Sequence, residues 1–176
     1  MTATSEELLP AEPERRTDFR LDTPSVDDGA AIWRIARDSK ALDLNSSYSY
    51  LLWCRDFAGT SVVARDETGT PVGFVTGYVR PERPGTLVVW QVAVDGAYRG
   101  RGLAAAMLDG LAERAAEAGI RHLETTITPD NEASNRLFTS FGARHGAAVE
   151  REVLFHGGQF PDPHAPEVLY RIGPLT

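Results

Sequence analysis

The stretch Val92-Ala93-Val94-Asp95-Gly96-Ala97-Tyr98-Arg99-Gly100-Arg101-Gly102-Leu103-Ala104 decides the fold. An apolar run, Leu87 to Val94, passes through a glycine-rich corner directly into a helical pattern, with Leu103, Met107, Leu108, Leu111 and Ala115 on one face. The first turn of a helix carries amide hydrogens with no intrahelical partner, and the helix dipole adds partial positive charge there. Glycines at 100 and 102 remove side chains that would keep an anion off this backbone, and Arg99 and Arg101 add charge. The corner therefore reads as a diphosphate site, set against a ligand-free strand-to-helix turn.

Outward from the corner, the chain divides into short periodic segments. Leu87 to Val94 is apolar on both faces except at Gln91, as suits a central strand covered on both sides. Before it, Ser61 to Ala64 and Val72 to Val79 form a hairpin signal around Gly69. Earlier still, Phe19 to Asp22 reads as a strand. Ser25 and Asp28 have capping-box spacing ahead of a helix bearing Ile32, Trp33 and Ala36, and a second helix runs from Ser46 or Ser47 to about Phe57. After the corner helix, which Gly119 stops, come a strand from His122 to Ile127 and a helix opened by Pro129-Asp130 and closed by Gly142. Strands over Val149 to Phe155 and Glu167 to Ile172 follow. The order β-α-α-β-β-β-α-β-α-β-β predicts an α/β (α+β) domain, a mixed sheet with helices on both faces. Residues 1–16, with four Glu and two Pro and little periodicity, read as a flexible tail ahead of a domain over 17–176.

Two other glycine motifs compete for the corner. A Walker loop fails because no Gly-Lys-Ser/Thr follows. Gly100-x-Gly102-x-x-Ala105 fits a dinucleotide fingerprint, with Glu124 at a tempting distance. However, about four strands precede it, Glu124 lies within its strand, and too little chain remains for a doubly wound sheet.

The composition narrows the partners. A formal charge of −7 argues against broad nucleic-acid binding and is compatible with cationic ligands such as amines. No apolar run approaches the length of a membrane helix, and residues 1–10 lack a secretory pattern. The lone Cys54 excludes an intrachain disulfide and fits a reducing cytoplasm. No membrane association or metal is expected.

Arg99-x-x-Gly102-x-Ala104, and the later Asn131-x-x-Ser134-x-x-Leu137-Phe138-x-x-x-Phe141-Gly142, resemble the two conserved regions of the GCN5-related N-acetyltransferases. The resemblance implies the GNAT fold, a mostly antiparallel mixed sheet splayed between its fourth and fifth strands, with acetyl-CoA in the splay as co-substrate. The backbone of Val92, Ala93 and Val94 would meet the pantetheine. The amides of Arg99, Gly100, Arg101, Gly102, Leu103 and Ala104 would hold the pyrophosphate, with Asn131 and Asn135 facing the coenzyme.

Longer blocks resemble the diaminobutyrate acetyltransferase family of ectoine synthesis. They are Asp43-Leu44-Asn45-Ser46-x-Tyr48-x-Tyr50-Leu51-Leu52, Val72-Gly73-Phe74-Val75-x-Gly77-Tyr78, Val89 to Val94 and Leu123 to Pro129, together with Phe155, Phe160, His164, Glu167 and Tyr170-Arg171-Ile172. That likeness implies transfer to the γ-amine of L-2,4-diaminobutyrate, a homodimer, and acceptor contacts from Asp43, Tyr48, Trp90, His164 and Glu167.

Each of those five also fits a plain structural role. Asp43 can be a helix-terminal charge, Tyr48 and Trp90 core aromatics, and His164 and Glu167 ordinary surface residues. For the chemistry, Asp43 or Glu167 could take the ammonium proton directly or through water, with Glu124 as a further candidate. A backbone N–H near Val92 could hold the oxyanion. Phe138 stands where many superfamily members carry a proton-donating tyrosine, so no general acid is carried over. Cys54, amid Leu51, Leu52 and Trp53, reads as core. Acetylation of another small amine (a polyamine or aminoglycoside), a non-catalytic CoA-binding sensor and an NAD-dependent enzyme remain as alternatives.

Overall fold

The computed structural model describes residues 19–175, so the expected tail over 1–16 lies outside the described residues. Its elements follow the predicted order. They are β1 (Arg20–Asp22), α1 (Gly29–Ser39), α2 (Ser47–Asp56), β2 (Val62–Arg65), β3 (Pro71–Val79), β4 (Thr86–Val94), α3 (Leu103–Glu117), β5 (His122–Ile127), α4 (Glu132–Arg144), β6 (Ala148–Phe155) and β7 (Glu167–Gly173). One seven-stranded sheet has the order β1-β2-β3-β4-β5-β7-β6, with every pair antiparallel except β4–β5.

Alternation along β3 feeds two cores. Val75 joins the apolar layer beneath α3 and α4, with Leu103, Met107, Leu108, Leu111, Phe138 and Phe141. Its neighbour Phe74 points to the other layer, with Ile32, Ile35, Tyr50 and Cys54 of α1 and α2. β4 is covered on both sides, which is why its sequence lacks a polar face.

The sheet is irregular at one place that matters. Between β3 and β4, Thr76 pairs with Gln91 and Gly77 with Val89, so Trp90 is an extra, unpaired residue in β4. A bulge of this kind bends its strand. Pairing with β5 stops at the same point: Thr86, Leu87 and Val88 have partners in His122, Leu123 and Glu124, and beyond Val88 there are none. At the vertex the Thr125 hydroxyl donates to the Val89 carbonyl at 3.1 Å. Beside the bulge, Gly77 lies beyond the β2–β3 ladder, which ends at the Val62–Val75 pair. Its N–H donates to the Ser61 hydroxyl, and its carbonyl accepts from the Thr60 hydroxyl at 2.7 Å. A Cβ there would lie 2.8 Å from the Val88 carbonyl oxygen, so only glycine fits.

Most helix ends follow their signals, but the start expected at Pro129-Asp130 falls later, α4 beginning at Glu132 with Asn131 as its cap. Gly119 closes α3 as expected, its N–H bonded to the Ala116 carbonyl and that of Ile120 to the Ala115 carbonyl. Gly142, expected to stop α4, lies inside it, and the helix continues to Arg144. The physical reason is packing: a Cβ on Gly142 would lie 2.4 Å from Val149 Cγ2.

The Ser25–Asp28 box forms, with the Ser25 N–H donating to the Asp28 carboxylate at 2.8 Å. Arg65 then clamps Asp28 through two bonds of 2.8 Å and reaches Asp22 at 2.8 Å, tying β1 and β2 to the start of α1. Burial pushes the Asp28 carboxyl up, but Arg65 and Ser25 outweigh it and hold the group below the usual carboxylate range. A carboxylate with a depressed folded pKa stabilises the fold above its unfolded pKa, near ~3.9, and loses that contribution as pH falls through the folded value. Asp28→Asn is therefore expected to cost roughly 3 kcal/mol at neutral pH. The gap from the parent chain should close as both are denatured in increasingly acidic buffer. A gap that stays constant down to acid pH would refute this account of the pair.

Candidate functional site

The parting of β4 from β5 opens two recesses that adjoin at Ala41, Leu42 and Asn131. The first, about 540 Å³, lies against the vertex. Its wall includes Asp43, Trp90, Gln91, Glu124, Thr125, His164 and Glu167. The second, about 630 Å³, is a groove along Val92, Ala93 and Val94, bounded by Arg99, Ala104 and Ala105 at the start of α3 and by Ser134, Leu137 and Ser140 of α4.

The far end of the groove is the glycine corner. Gly100 and Gly102 adopt φ values of +75° and +77°, a region that L side chains rarely enter, and nothing lies within 4 Å of a Cβ built on either. The first intrahelical bond of α3 runs from the Ala106 N–H to the Gly102 carbonyl, so the amides of Leu103, Ala104 and Ala105 are not used inside the helix. The corner is braced from behind: the Asp95 carboxylate accepts from the Ala97 N–H at 3.2 Å and from Arg34 at 2.9 Å. Arg99 lines the groove, whereas Arg101 bonds the Ala97 carbonyl and stacks on Tyr98. These residues fit a diphosphate: open backbone, unused donors and, in Arg99, a guanidinium at the groove.

The first cavity is held by a buried polar strut. The Gln91 carboxamide accepts from the Tyr50 hydroxyl and donates to the Asp43 carbonyl, both at 2.9 Å, which fixes the α1–α2 loop over β4. Burial raises the Tyr50 phenol above its ordinary value, so it acts as a donor here. Trp90, aimed by the bulge, is 53% exposed, and its ring stacks on Trp53. Across the cavity, His164 stacks on Phe160 and its Nε2 lies 3.7 Å from Glu167 Oε1.

Of the five acceptor contacts implied by family likeness, Asp43, Trp90, His164 and Glu167 line this one cavity. Tyr48 does not join them; it is 64% exposed on α2 and outside the cavity wall. Asn131 caps α4 by accepting from the Ser134 N–H at 3.1 Å while standing at the junction of the two recesses. Asn135 lines neither recess and instead bonds the Tyr170 hydroxyl and the Asn131 carbonyl. Phe138 is buried and offers no proton. Glu124 sits on the cavity wall with its carboxylate oxygens taken by Arg80 and Arg171. Sequence reasoning had no route to that ion triad, whose members lie on β5, on β7 and just past the end of β3.

A strand pair that opens into a V above a glycine-cornered helix defines a class. The chain belongs to the acetyltransferase (GNAT) family, whose model matches residues 29–143. Within that family it is similar over nearly its whole length to L-2,4-diaminobutyric acid acetyltransferases. That of Streptomyces avermitilis is 67% identical, with 100% of this chain and 99% of the relative covered. That of Streptomyces coelicolor is 71% identical, with 92% and 96% covered. The structure of the diaminobutyrate acetyltransferase of Paenibacillus lautus, in complex with L-2,4-diaminobutyric acid and coenzyme A, superimposes with a TM-score of 0.84 at 40% identity, covering 90% of this chain and 96% of that one.

Cys54 is 3% exposed in the α1–α2 core, and burial pushes its thiol up to about 11, which leaves little thiolate at neutral pH. Cys54→Ala is expected to cost about 1–2 kcal/mol in denaturant melts with kcat unchanged. A large loss of kcat would instead mark the thiol as a reacting group.

Proposed function

We propose that the chain transfers the acetyl group of acetyl-CoA to the γ-amino group of L-2,4-diaminobutyrate, giving N4-acetyl-L-2,4-diaminobutyrate for ectoine synthesis. The observation that carries this reading is the joining of the two recesses at the β4–β5 parting. One has an anion-binding corner at its far end, and the other presents the carboxylates of Asp43 and Glu167. The Paenibacillus relative, in complex with both L-2,4-diaminobutyric acid and coenzyme A, supports this choice of acceptor and donor.

Acetyl-CoA supplies a thioester carbonyl activated toward amines. The chain's own residues do the rest. Backbone amides of Leu103, Ala104 and Ala105, with Arg99, hold the diphosphate. The backbone of Val92 to Val94, without a strand partner on the β5 side, receives the pantetheine arm, and an N–H near Val92 steadies the oxyanion. The acceptor arrives as an ammonium with an ordinary pKa near ~10.4 and must lose a proton to react. Asp43 or Glu167 takes that proton, directly or through water, while Trp90 walls the reacting end. Phe138 cannot protonate the departing thiolate, so its proton comes from solvent or from the attacking amine.

We also propose a homodimer working in the cytoplasm. β6 lies at the sheet edge, with Val153, Leu154 and Phe155 exposed at 47%, 40% and 45%. Leu154 and Phe155 also belong to the cavity wall, so a second copy on this edge would close the acceptor site. No described helix is long and apolar enough to cross a membrane, and Cys54 is a free thiol.

Mixing the protein with acetyl-CoA and diaminobutyrate should release free thiol and yield the monoacetylated diamino acid by mass spectrometry. Asp43→Ala and Glu167→Ala should each lower kcat/KM, the one that serves as base by about 10²- to 10⁴-fold and with a changed pH profile. Full turnover by both variants would sink the site assignment, and thiol release with other amines alone would sink the acceptor. Light scattering should report twice the chain mass, falling to one chain in Val153→Glu; a one-chain mass for the parent protein would remove the dimer.

A further inference from the structure

One charged side chain on the cavity wall has no role in the scheme above. Arg80 follows β3 directly, and its guanidinium reaches the cavity with 37% of the side chain exposed. Its Nη1 donates to Glu124 Oε2 at 3.2 Å. Glu124 is itself buried, its side chain 4% exposed, and its other oxygen is gripped by Arg171 Nε and Nη2 at 2.9 and 2.7 Å. The three residues come from the end of β3, from β5 and from β7, so the triad bridges the base of the V.

The charges do not balance within the cavity alone. Its wall carries the carboxylates of Asp43, Glu124 and Glu167, and Arg80 is the one guanidinium among the described lining residues. Arg171 lies outside the wall and matches the Glu124 charge at shorter distance than Arg80 does. Arg80 is thus held by one long bond at one nitrogen and retains donors facing the cavity. A diamino acid carries two ammonium groups and one carboxylate, so it needs acceptors for the amines and a cation with a donor fork for the carboxylate. Asp43 and Glu167 supply the first kind of group, and Arg80 supplies the second.

We infer that Arg80 binds the α-carboxylate of the acceptor and so selects an amino acid over a simple diamine, with Glu124, braced by Arg171, as the residue that positions its guanidinium. The inference rests on the diaminobutyrate reading and adds the group that distinguishes this acceptor from other diamines. It also removes Glu124 from the candidate bases, because its oxygens are committed to guanidinium N–H groups.

The test compares L-2,4-diaminobutyrate with 1,3-diaminopropane, which keeps both amines and lacks the carboxylate. The parent enzyme should prefer the carboxylated acceptor. Arg80→Met should lower kcat/KM for diaminobutyrate by about 10- to 100-fold, chiefly through KM, as expected for losing one charge-assisted bonded pair. It should leave diaminopropane largely unaffected. Arg80→Lys, which keeps the charge without the fork, should fall between. Glu124→Gln should raise the diaminobutyrate KM while the pH profile of kcat stays in place, whereas loss of a base would displace that profile. A preference that survives both Arg80 variants, or equal losses on both acceptors, overturns the assignment alone. A parent enzyme with no preference for the carboxylated acceptor overturns the acceptor reading with it.

Discussion

The central constraint of this structure is that β4 cannot stay hydrogen-bonded to both of its neighbours along its whole length. Inserting Trp90 against β3 bends β4, and beyond Val88 it no longer pairs with β5. The unpaired stretch would be costly if it were simply buried, since each orphaned backbone group carries a desolvation penalty of about 1–3 kcal/mol. The fold avoids that cost by placing the stretch beside open space. The Thr125 hydroxyl satisfies the Val89 carbonyl at the vertex, and the groove exposes the remainder to whatever enters. One inserted residue thus creates the cleft, exposes an indole at its apex and leaves a free strand edge along its arm.

The two ends of the cleft are built from different physics. At the corner, the groups open to an anion are backbone: amides of a helix start, reachable because two glycines hold left-handed conformations. At the vertex it comes from side chains gathered from sequence-distant elements, with a buried Glu124 between two guanidiniums and Asp43 delivered by a loop. The first arrangement tolerates any ligand carrying a diphosphate. The second is set by individual functional groups and can discriminate between acceptors.

These differences decide what could be read from the sequence. The element order, the central strand, the capping box and the corner were all legible, because each depends on local spacing. The Asn131 and Asp43 blocks were legible only through family likeness, and Asp43 does line the cavity. Tyr48 shared that likeness yet faces solvent on α2, since helical periodicity leaves its face undetermined without knowing what α2 packs against. Gly142 looked like a helix stop because a glycine near a helix end usually is one; the approach of Val149 from β6 overrode the signal. The bulge left no local trace at all. An extra residue in β4 is defined only against β3, and the continuous apolar run concealed the change of register.

Gln91 was the one polar residue in that run, and its environment has a consequence for how the cavity meets a small, flexible ligand. By gripping the Asp43 carbonyl from below and the Tyr50 hydroxyl from the side, it holds the segment between α1 and α2 in shape before any ligand arrives. The conformational entropy of that segment is surrendered once, during folding, and is not charged again against each encounter. A segment prepared in this way adds little ordering cost to whatever the cavity receives.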